Sequence, residues 1–198
     1  HRGEHDNRRV FENTLAAFKL AWHENADGIE GDFHLSADGE VVCIHDTDTR
    51  RVAGPKLIVA QTPWKELAAL DVGSWKSPAF KNERIPRLAD VLDILPSHKW
   101  FFLEIKAGPE IVAPIRRILE AKHADPARVI LISFDTKVVQ ACRKELPAYQ
   151  AHWISTLKDF DAKRGDYERQ LAESGARGLQ FEAKAAVDPA WLGKLREQ

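Results

Sequence analysis

The stretch of sequence that decides the fold runs from Asp27 to Asp46 and reads DGIEGDFHLSADGEVVCIHD. Two apolar runs within it, GIEGDFHL and EVVCIHD, have the length of short strands, and the Asp-Gly of the intervening SADGE favours a tight reversal. Both runs also carry acids or histidines, which strands that serve only a hydrophobic core rarely contain. We therefore predict a hairpin-like pair of strands that bears functional side chains.

Short β-type runs alternate with longer helical ones along the rest of the chain. Further strands are predicted in 99–107, 128–134, 148–156 and 176–183, and helices in 13–25, 87–95, 108–123, 135–146, 166–174 and 188–198. This alternation indicates βαβ units around a parallel sheet. Because no Gly-rich phosphate fingerprint follows any of these strands, an α/β fold of the TIM (β/α)₈ barrel type is favoured over a doubly wound sheet.

Residues 1–198 are predicted to form a single barrel domain. A complete barrel typically takes about 250 residues and eight strands, whereas the sequence shows six or seven. We therefore expect that the chain lacks part of its first strand, which would end at the opening HRG, and the last one or two βα units. Residues 47–86, after the strand that carries His45, are irregular apart from a short helix in 62–70.

The composition is that of an ordinary globular chain and excludes two classes of partner. The sequence has 29 Lys and Arg against 30 Asp and Glu, so its formal net charge of −1 creates no field that would attract nucleic acid or an anionic membrane. Its apolar runs are far too short to cross a bilayer, which argues against stable membrane insertion. Cys43 and Cys142 are predicted to be small buried residues rather than a disulfide framework. Cytoplasmic or exported location and oligomeric state stay open.

Three carboxylates are predicted to meet at the barrel mouth. Glu30 and Asp32 are two residues apart in one strand and project from the same face, as do Glu104 and Lys106 in a later strand. Charged residues at the carboxyl ends of parallel barrel strands converge, and carboxylates so placed repel one another unless a cation lies between them. All-oxygen ligation suits one Mg²⁺ or Ca²⁺ ion. Two alternatives stay open: Glu30 and Asp32 as solvated strand-end charges, and Lys106 as a simple partner of Glu104.

Two of the eight histidines, His1 and His45, lie at strand ends beside a charged residue, Arg2 and Asp46 respectively. Asp46 either orients the His45 imidazole by accepting its N–H or solvates a turn. Imidazoles can transfer protons near neutral pH, while a hard cation and basic side chains neutralise an anionic ester, which suits a phosphodiester. The remaining histidines carry no local argument and are predicted to be surface or supporting residues: His5, His23, His34, His98, His123 and His152.

Five motifs resemble the glycerophosphodiester phosphodiesterase family, in order: HRG, ENTLAAF, DGIEGDFHLSADGEVVCIHD, IPRL and FFLEIK. The similarity runs from His1 to about Ser133, and after that only the βα rhythm continues. The resemblance implies metal-dependent hydrolysis of glycerophosphocholine, glycerophosphoethanolamine or a similar small molecule. The implied reaction passes through a cyclic phosphate and yields sn-glycerol 3-phosphate and an alcohol.

The resemblance also implies roles for seven residues. His1 and His45 match the catalytic histidines, acting as general acid and base; Glu30, Asp32 and Glu104 match the ligands of one divalent cation; Arg2 and Lys106 match phosphate-contacting positions. Residues 47–86 resemble the insertion that these enzymes place beside the barrel mouth, where it can contact substrate. Glu12 and Asn13 belong to the ENT signature, in which we expect Asn13 to be a helix N-cap, and Phe11 replaces the Pro that is usual before it.

Two other readings of the sequence stay open. Related barrel phosphodiesterases of the phospholipase C or sphingomyelinase D type also use two histidines, but they would need an exposed apolar or basic lip. The sequence shows only scattered aromatic candidates, Trp64, Trp75 and Trp100. A non-catalytic phosphoglycerol-binding protein would have lost at least one catalytic position, and all seven are present.

Overall fold

The computed structural model describes residues 1–3, 10–74, 76–156, 158, 160–181 and 188–196. Within them, six strands form one sheet in the order β2-β1-β3-β4-β5-β6, so that β2 and β6 are its edges. The strands are β1 (Gly28–Leu35), β2 (Val41–Cys43), β3 (Trp100–Ile105), β4 (Val129–Ser133), β5 (Gln150–Ser155) and β6 (Gly178–Phe181). All neighbouring pairs are parallel except β1 and β2, which are antiparallel.

Helices alternate with the parallel strands. They are α1 (Leu15–His23), α2 (Arg50–Ala53), α3 (Trp64–Leu67), α4 (Leu88–Asp93), α5 (Val112–Ala121), α6 (Thr136–Glu145), α7 (Phe160–Ser174) and α8 (Pro189–Arg196). This arrangement confirms the predicted α/β fold, as an arc of a barrel. No helix in the described ranges combines the length and hydropathy that a membrane span requires.

The predicted hairpin is confirmed, but the position of His45 differs from the sequence interpretation. The strand β2 ends at Cys43, so His45 lies two residues beyond it, although the predicted strand EVVCIHD includes this histidine. Ile44, the next residue, still donates its N–H to the Asp32 carbonyl of β1, its neighbour in register, while Cys43 N–H donates to the Pro86 carbonyl. His45 therefore follows a residue that is bonded to the middle of β1.

The main core lies between one face of the sheet and the helices. Ile29 and Phe33 of β1 alternate with the acids and pack with Phe101 of β3 and Phe18 of α1. The Phe33 and Phe101 rings meet edge to face, with centroids 5.8 Å apart. Because the apolar residues occupy this face, the acids between them point to the opposite face, inside the barrel arc.

The segment 47–86 forms a second, smaller core over the start of the chain. Val52, Leu67, Val72 and Ile85 pack around Ile44 and Phe11. The carboxylate of Asp71 holds the loop between α3 and α4, because it accepts backbone N–H groups from Gly73, Ser74 and Asn82 at 2.9 to 3.0 Å. The segment is therefore packed directly against the residues that precede His45.

Candidate active site

Strand register brings the three acids together. Asp32 of β1 lies directly beside Glu104 of β3, and Glu30 lies one pleat earlier on the same face. One carboxylate oxygen from each of the three lies within 4.8 Å of the others. Asp32 is fully buried, and the other two are less than 10% exposed. The alternative that Glu30 and Asp32 are solvated strand-end charges is therefore wrong.

The acid cluster has free ligand capacity for a cation. Glu30 Oε1 and Asp32 Oδ1 are buried and accept no hydrogen bond from any residue that the structure describes, although the Lys106 ammonium lies 3.5 Å from Asp32 Oδ1. Burial of such oxygens is costly unless a cation satisfies them. Burial raises the pKa of Glu104, against the opposing effect of Lys106. Three oxygen ligands of this kind suit a hard divalent cation, so the cluster can hold a metal ion.

Two basic side chains lie against this cluster. Lys106 Nζ is 2.8 Å from Glu104 Oε1 and 3.5 Å from Asp32 Oδ1. Arg2 Nε is 3.2 Å from Asp32 Oδ2, and the Arg2 backbone N–H donates to Glu30 Oε2 at 2.9 Å. Lys106 is thus more than a partner of Glu104, because it bridges two acids and reaches His45 as well, with Nζ 3.4 Å from Nε2.

The two histidines approach the cluster from different sides. His1 is more than half exposed, and its Nδ1 lies 2.5 Å from Glu30 Oε2, a hydrogen bond that raises the His1 pKa. His45 Nδ1 lies 2.7 Å from Asp46 Oδ1. An ionised carboxylate only accepts hydrogen bonds, so this contact places the proton of neutral His45 on Nδ1 and leaves Nε2 as the acceptor that faces Lys106. Asp46 therefore orients the imidazole.

All seven residues that the sequence singled out form one connected group of contacts. His1 and Arg2 contact Glu30, Arg2 and Lys106 contact Asp32, and Lys106 joins Glu104 to His45. Two other residues named from the sequence, His5 and Trp75, lie outside the described residues. The group combines a site for a cation, two basic side chains for an anion and two imidazoles that can transfer protons.

The expected role of Asn13 is wrong. The N-cap of α1 is Thr14, whose side chain accepts the Ala17 N–H. Asn13 has a left-handed backbone with φ of 57°, and its amide instead donates to Asp32 Oδ2 at 2.9 Å and accepts the Asp32 backbone N–H at 3.3 Å. Asn13 thus holds a member of the acid cluster, a contact across 19 residues of sequence that helix-capping rules do not address.

Two residues near the site were not identified from the sequence as functional. His34 is buried, its Nε2 lies 3.1 Å from the His45 carbonyl oxygen, and burial lowers its pKa. Its spacing from Glu30 and Asp32, every second residue of one strand, could have indicated that it shares their face. Arg51 contacts Asp46 and Glu12, and nothing in its local sequence indicates this.

The ion pair beside His45 gives a pH-dependent prediction. The hydrogen bond from Arg51, with a smaller effect of His45, lowers the Asp46 pKa from 3.8 to about 2. A carboxyl group whose pKa is lower in the folded than in the unfolded state stabilises the protein at pH values above its unfolded pKa. This stability is lost as the pH falls through the folded pKa. We expect Asp46→Asn to lower the free energy of unfolding by about 1 kcal/mol at pH 6, since the pair is partly exposed. In urea titrations the difference in unfolding free energy between wild type and Asp46→Asn should shrink as the pH falls from about 4 to about 2. A difference that stays constant over this range would contradict the stabilising role of the ion pair.

An α/β barrel arc that carries three acids, two basic side chains and two imidazoles on one face of its sheet can hold a cation and an anionic ligand. The chain belongs to the glycerophosphoryl diester phosphodiesterase family, whose model matches residues 1–190.

Individual relatives are similar over parts of their length. The chain is 37% identical over 139 residues to the Bacillus subtilis protein YhdW, covering 69% of this chain and 57% of that protein. It is 34% identical over 151 residues to a glycerophosphodiester phosphodiesterase of Caldanaerobacter subterraneus, covering 74% of this chain and 61% of the relative. The chain therefore spans about three fifths of these relatives.

Solved structures show the same fold. An Oleispira antarctica phosphodiesterase in complex with the product sn-glycerol-3-phosphate superposes on all of this chain and on 78% of its own, with a TM-score of 0.86 and 24% sequence identity. At that identity the likeness establishes the fold, and the chemistry has to be argued from the residues of this chain.

Proposed function

We propose that this protein hydrolyses glycerophosphodiesters to sn-glycerol 3-phosphate and an alcohol, with one Mg²⁺ or Ca²⁺ ion as cofactor. The observation that carries the proposal is the position of Lys106, whose ammonium lies 2.8 Å from Glu104 and 3.4 Å from the His45 imidazole. Charge neutralisation and proton transfer, the two requirements of phosphodiester cleavage, therefore share one site. Family membership and the product bound to the Oleispira relative support a glycerol phosphate as the common part of the substrate.

Each residue has a role that its position supports. Glu30, Asp32 and Glu104 would hold the cation, which would supply Lewis acidity to the phosphodiester. Arg2 and Lys106 would neutralise the phosphoryl charge that remains.

The two histidines would move the protons. One imidazole accepts the proton of the glycerol hydroxyl as its oxygen forms a bond to phosphorus, and the other donates a proton to the alcohol oxygen as its bond to phosphorus breaks. The product of this step is a cyclic phosphate. Water then opens the ring with the histidine roles reversed, which returns both imidazoles to their starting protonation states.

We also propose that residues 1–198 act as one barrel domain in which residues 47–86 lie beside the site and contact substrate. The second core supports this, because Val52, Val72 and Ile85 pack next to Ile44, the residue before His45. Arg51 of the same segment reaches Glu12 and Asp46 beside the histidine.

The test is an assay of sn-glycerol 3-phosphate release by the full-length gene product. Glycerophosphocholine and lysophosphatidylcholine are compared as substrates, each with Mg²⁺, Ca²⁺ or EDTA, and choline and phosphocholine, which either substrate can release, are measured alongside. We expect release from glycerophosphocholine that requires a divalent cation and stops in EDTA. Release of phosphocholine would instead indicate phospholipase C-type cleavage, and preference for the lysolipid would indicate a lipid phosphodiesterase. Absence of every product from folded, metal-supplied protein would contradict an enzymatic role.

A further inference from the structure

Arg51 makes a forked contact with the acid that orients His45. Its Nε donates to Asp46 Oδ2 at 2.7 Å, and one terminal nitrogen, Nη2, donates to Asp46 Oδ1 at 3.1 Å. Both carboxylate oxygens of Asp46 are thereby held by one planar guanidinium. A contact of this kind sets the plane of the carboxylate as well as its position.

The orientation of Asp46 decides which nitrogen of His45 faces the site. Asp46 Oδ1 is 2.7 Å from Nδ1, on the side of the imidazole away from the acid cluster, and Nε2 on the other side faces Lys106. Asp46 lies near the surface, with about a third of its side chain exposed. Without a second partner its carboxylate could turn to water, and the imidazole would lose the acceptor that keeps its proton on Nδ1.

Arg51 is itself fixed from a second direction. Its Nη2 donates to Glu12 Oε1 at 2.8 Å, and the same oxygen accepts a hydrogen bond from Arg2 Nη1 at 3.1 Å. Glu12 is only 9% exposed, and the Arg51 guanidinium lies 5.8 Å from the centre of the buried Phe11 ring. A continuous line of charged contacts thus runs from Arg2 through Glu12, Arg51 and Asp46 to His45.

We propose that Arg51 is a positioning residue for the reaction: anchored on Glu12, it holds Asp46 so that His45 presents an unprotonated Nε2 to the substrate. The proposal rests on the function proposed above for His45. Arg51 acts through Asp46, since its polar contacts with the described residues go to the carboxylates of Asp46 and Glu12, and Asp46 is the one that binds the imidazole. Loss of such a supporting partner typically costs about 10- to 100-fold in activity.

The neighbouring arginine provides a matched control. Arg50 belongs to the same helix and also makes a forked contact with an aspartate, from Nε and Nη2 to Asp48 at 3.2 and 2.9 Å. Its side chain is 61% exposed, against 41% for Arg51. The same substitution at the two positions therefore removes the same charge and a forked ion pair with an aspartate. Only at position 51 does it also remove the contact with Glu12 and the support of the aspartate that binds His45.

The experiment compares Arg51→Gln, Arg51→Lys and Arg50→Gln in the full-length protein, by steady-state kinetics and by ¹⁵N NMR of the histidine side chains. We expect Arg51→Gln to lower kcat about 10- to 100-fold, with a much smaller change in KM. The ¹⁵N resonances of His45 should change from those of the Nδ1–H tautomer to those of a mixture of the Nδ1–H and Nε2–H tautomers. Arg51→Lys keeps the charge but not the forked contact, so its kcat should lie between those of the wild type and Arg51→Gln. Arg50→Gln should have the kcat of the wild type. A fourth variant, Arg51→Ala, should lose kcat like Arg51→Gln, and added methylguanidinium should restore part of that loss.

The two readouts separate this proposal from the proposed function. If the wild-type protein releases no glycerol phosphate, the function fails, and the NMR comparison still decides whether Arg51 sets the tautomer of His45. An unchanged tautomer in Arg51→Gln would overturn the positioning role, whatever happens to kcat. Equal losses of kcat in Arg50→Gln and Arg51→Gln would also overturn it, because they would reflect a general effect of charge on this helix. If Arg51→Gln does not fold, Arg51→Lys supplies both readouts.

Discussion

Glu30→Ala is expected to abolish metal binding and glycerol phosphate release together. The carboxylate supplies one of three predicted ligands, and its Oε1 is buried without a hydrogen bond from the described residues. A bound cation contributes several kcal/mol of transition-state stabilisation, so its loss should lower kcat/KM by at least about 10³-fold. Calorimetric titration with Mg²⁺ or Ca²⁺ should show no binding in the variant.

A thermal measurement distinguishes this result from simple unfolding. An ion that binds the folded state raises Tm as its concentration increases, so wild-type protein should melt higher in metal than in EDTA, and Glu30→Ala should melt at the same temperature in both. Glu66→Ala, at an exposed position of α3, is the matched control and should keep the metal-dependent shift. A shift of wild-type size in Glu30→Ala would contradict its role as a ligand.

His45→Ala is expected to lower turnover by about 10²- to 10⁴-fold, the usual contribution of a positioned acid or base. The substitution leaves the acid cluster untouched, because the side-chain contacts of His45 are to Asp46 and Lys106. Metal binding and the metal-dependent rise in Tm should therefore persist, in contrast to Glu30→Ala. The side chain is partly exposed, so little stability should be lost.

His98→Ala is the control for this variant, since His98 is exposed and precedes β3, whereas Lys106, which contacts His45, follows the other end of that strand. It should keep wild-type turnover. Near-normal turnover in His45→Ala, measured as glycerol phosphate release at saturating metal, would remove His45 from the reaction. A loss of the thermal shift in the same variant would assign His45 to metal binding instead of proton transfer.

The sequence predicted most of the framework because that framework follows from local patterns. The alternation of short apolar runs with amphipathic helices indicated a barrel-type α/β fold, and the turn SADGE indicated the reversal between β1 and β2, both as observed. The every-second-residue spacing placed Glu30 and Asp32 on one face. These features depend on propensity and periodicity over a few residues, which a sequence displays directly.

Contacts between distant segments cannot be predicted from such local patterns. Helix-capping rules predict Asn13 as an N-cap, yet its side chain binds Asp32. No local pattern singles out Arg51, which binds Asp46 and Glu12. The sequence predicts a strand that includes His45, and the strand ends two residues before it. In each case the local pattern was compatible with several partners, and the partner was chosen by how other segments pack.

The sequence by itself determined the elements, their order and the residue types available for chemistry, because these depend on short-range geometry and hydrophobic patterning. Only the tertiary structure decided that Asp32 lies beside Glu104 and that Lys106 contacts both of them. It also decided that Lys106 reaches His45 and that Arg51 binds Asp46. The physical reason is that strand register and loop packing are set by the burial of apolar side chains throughout the domain. The charged groups are brought together as a consequence of that burial.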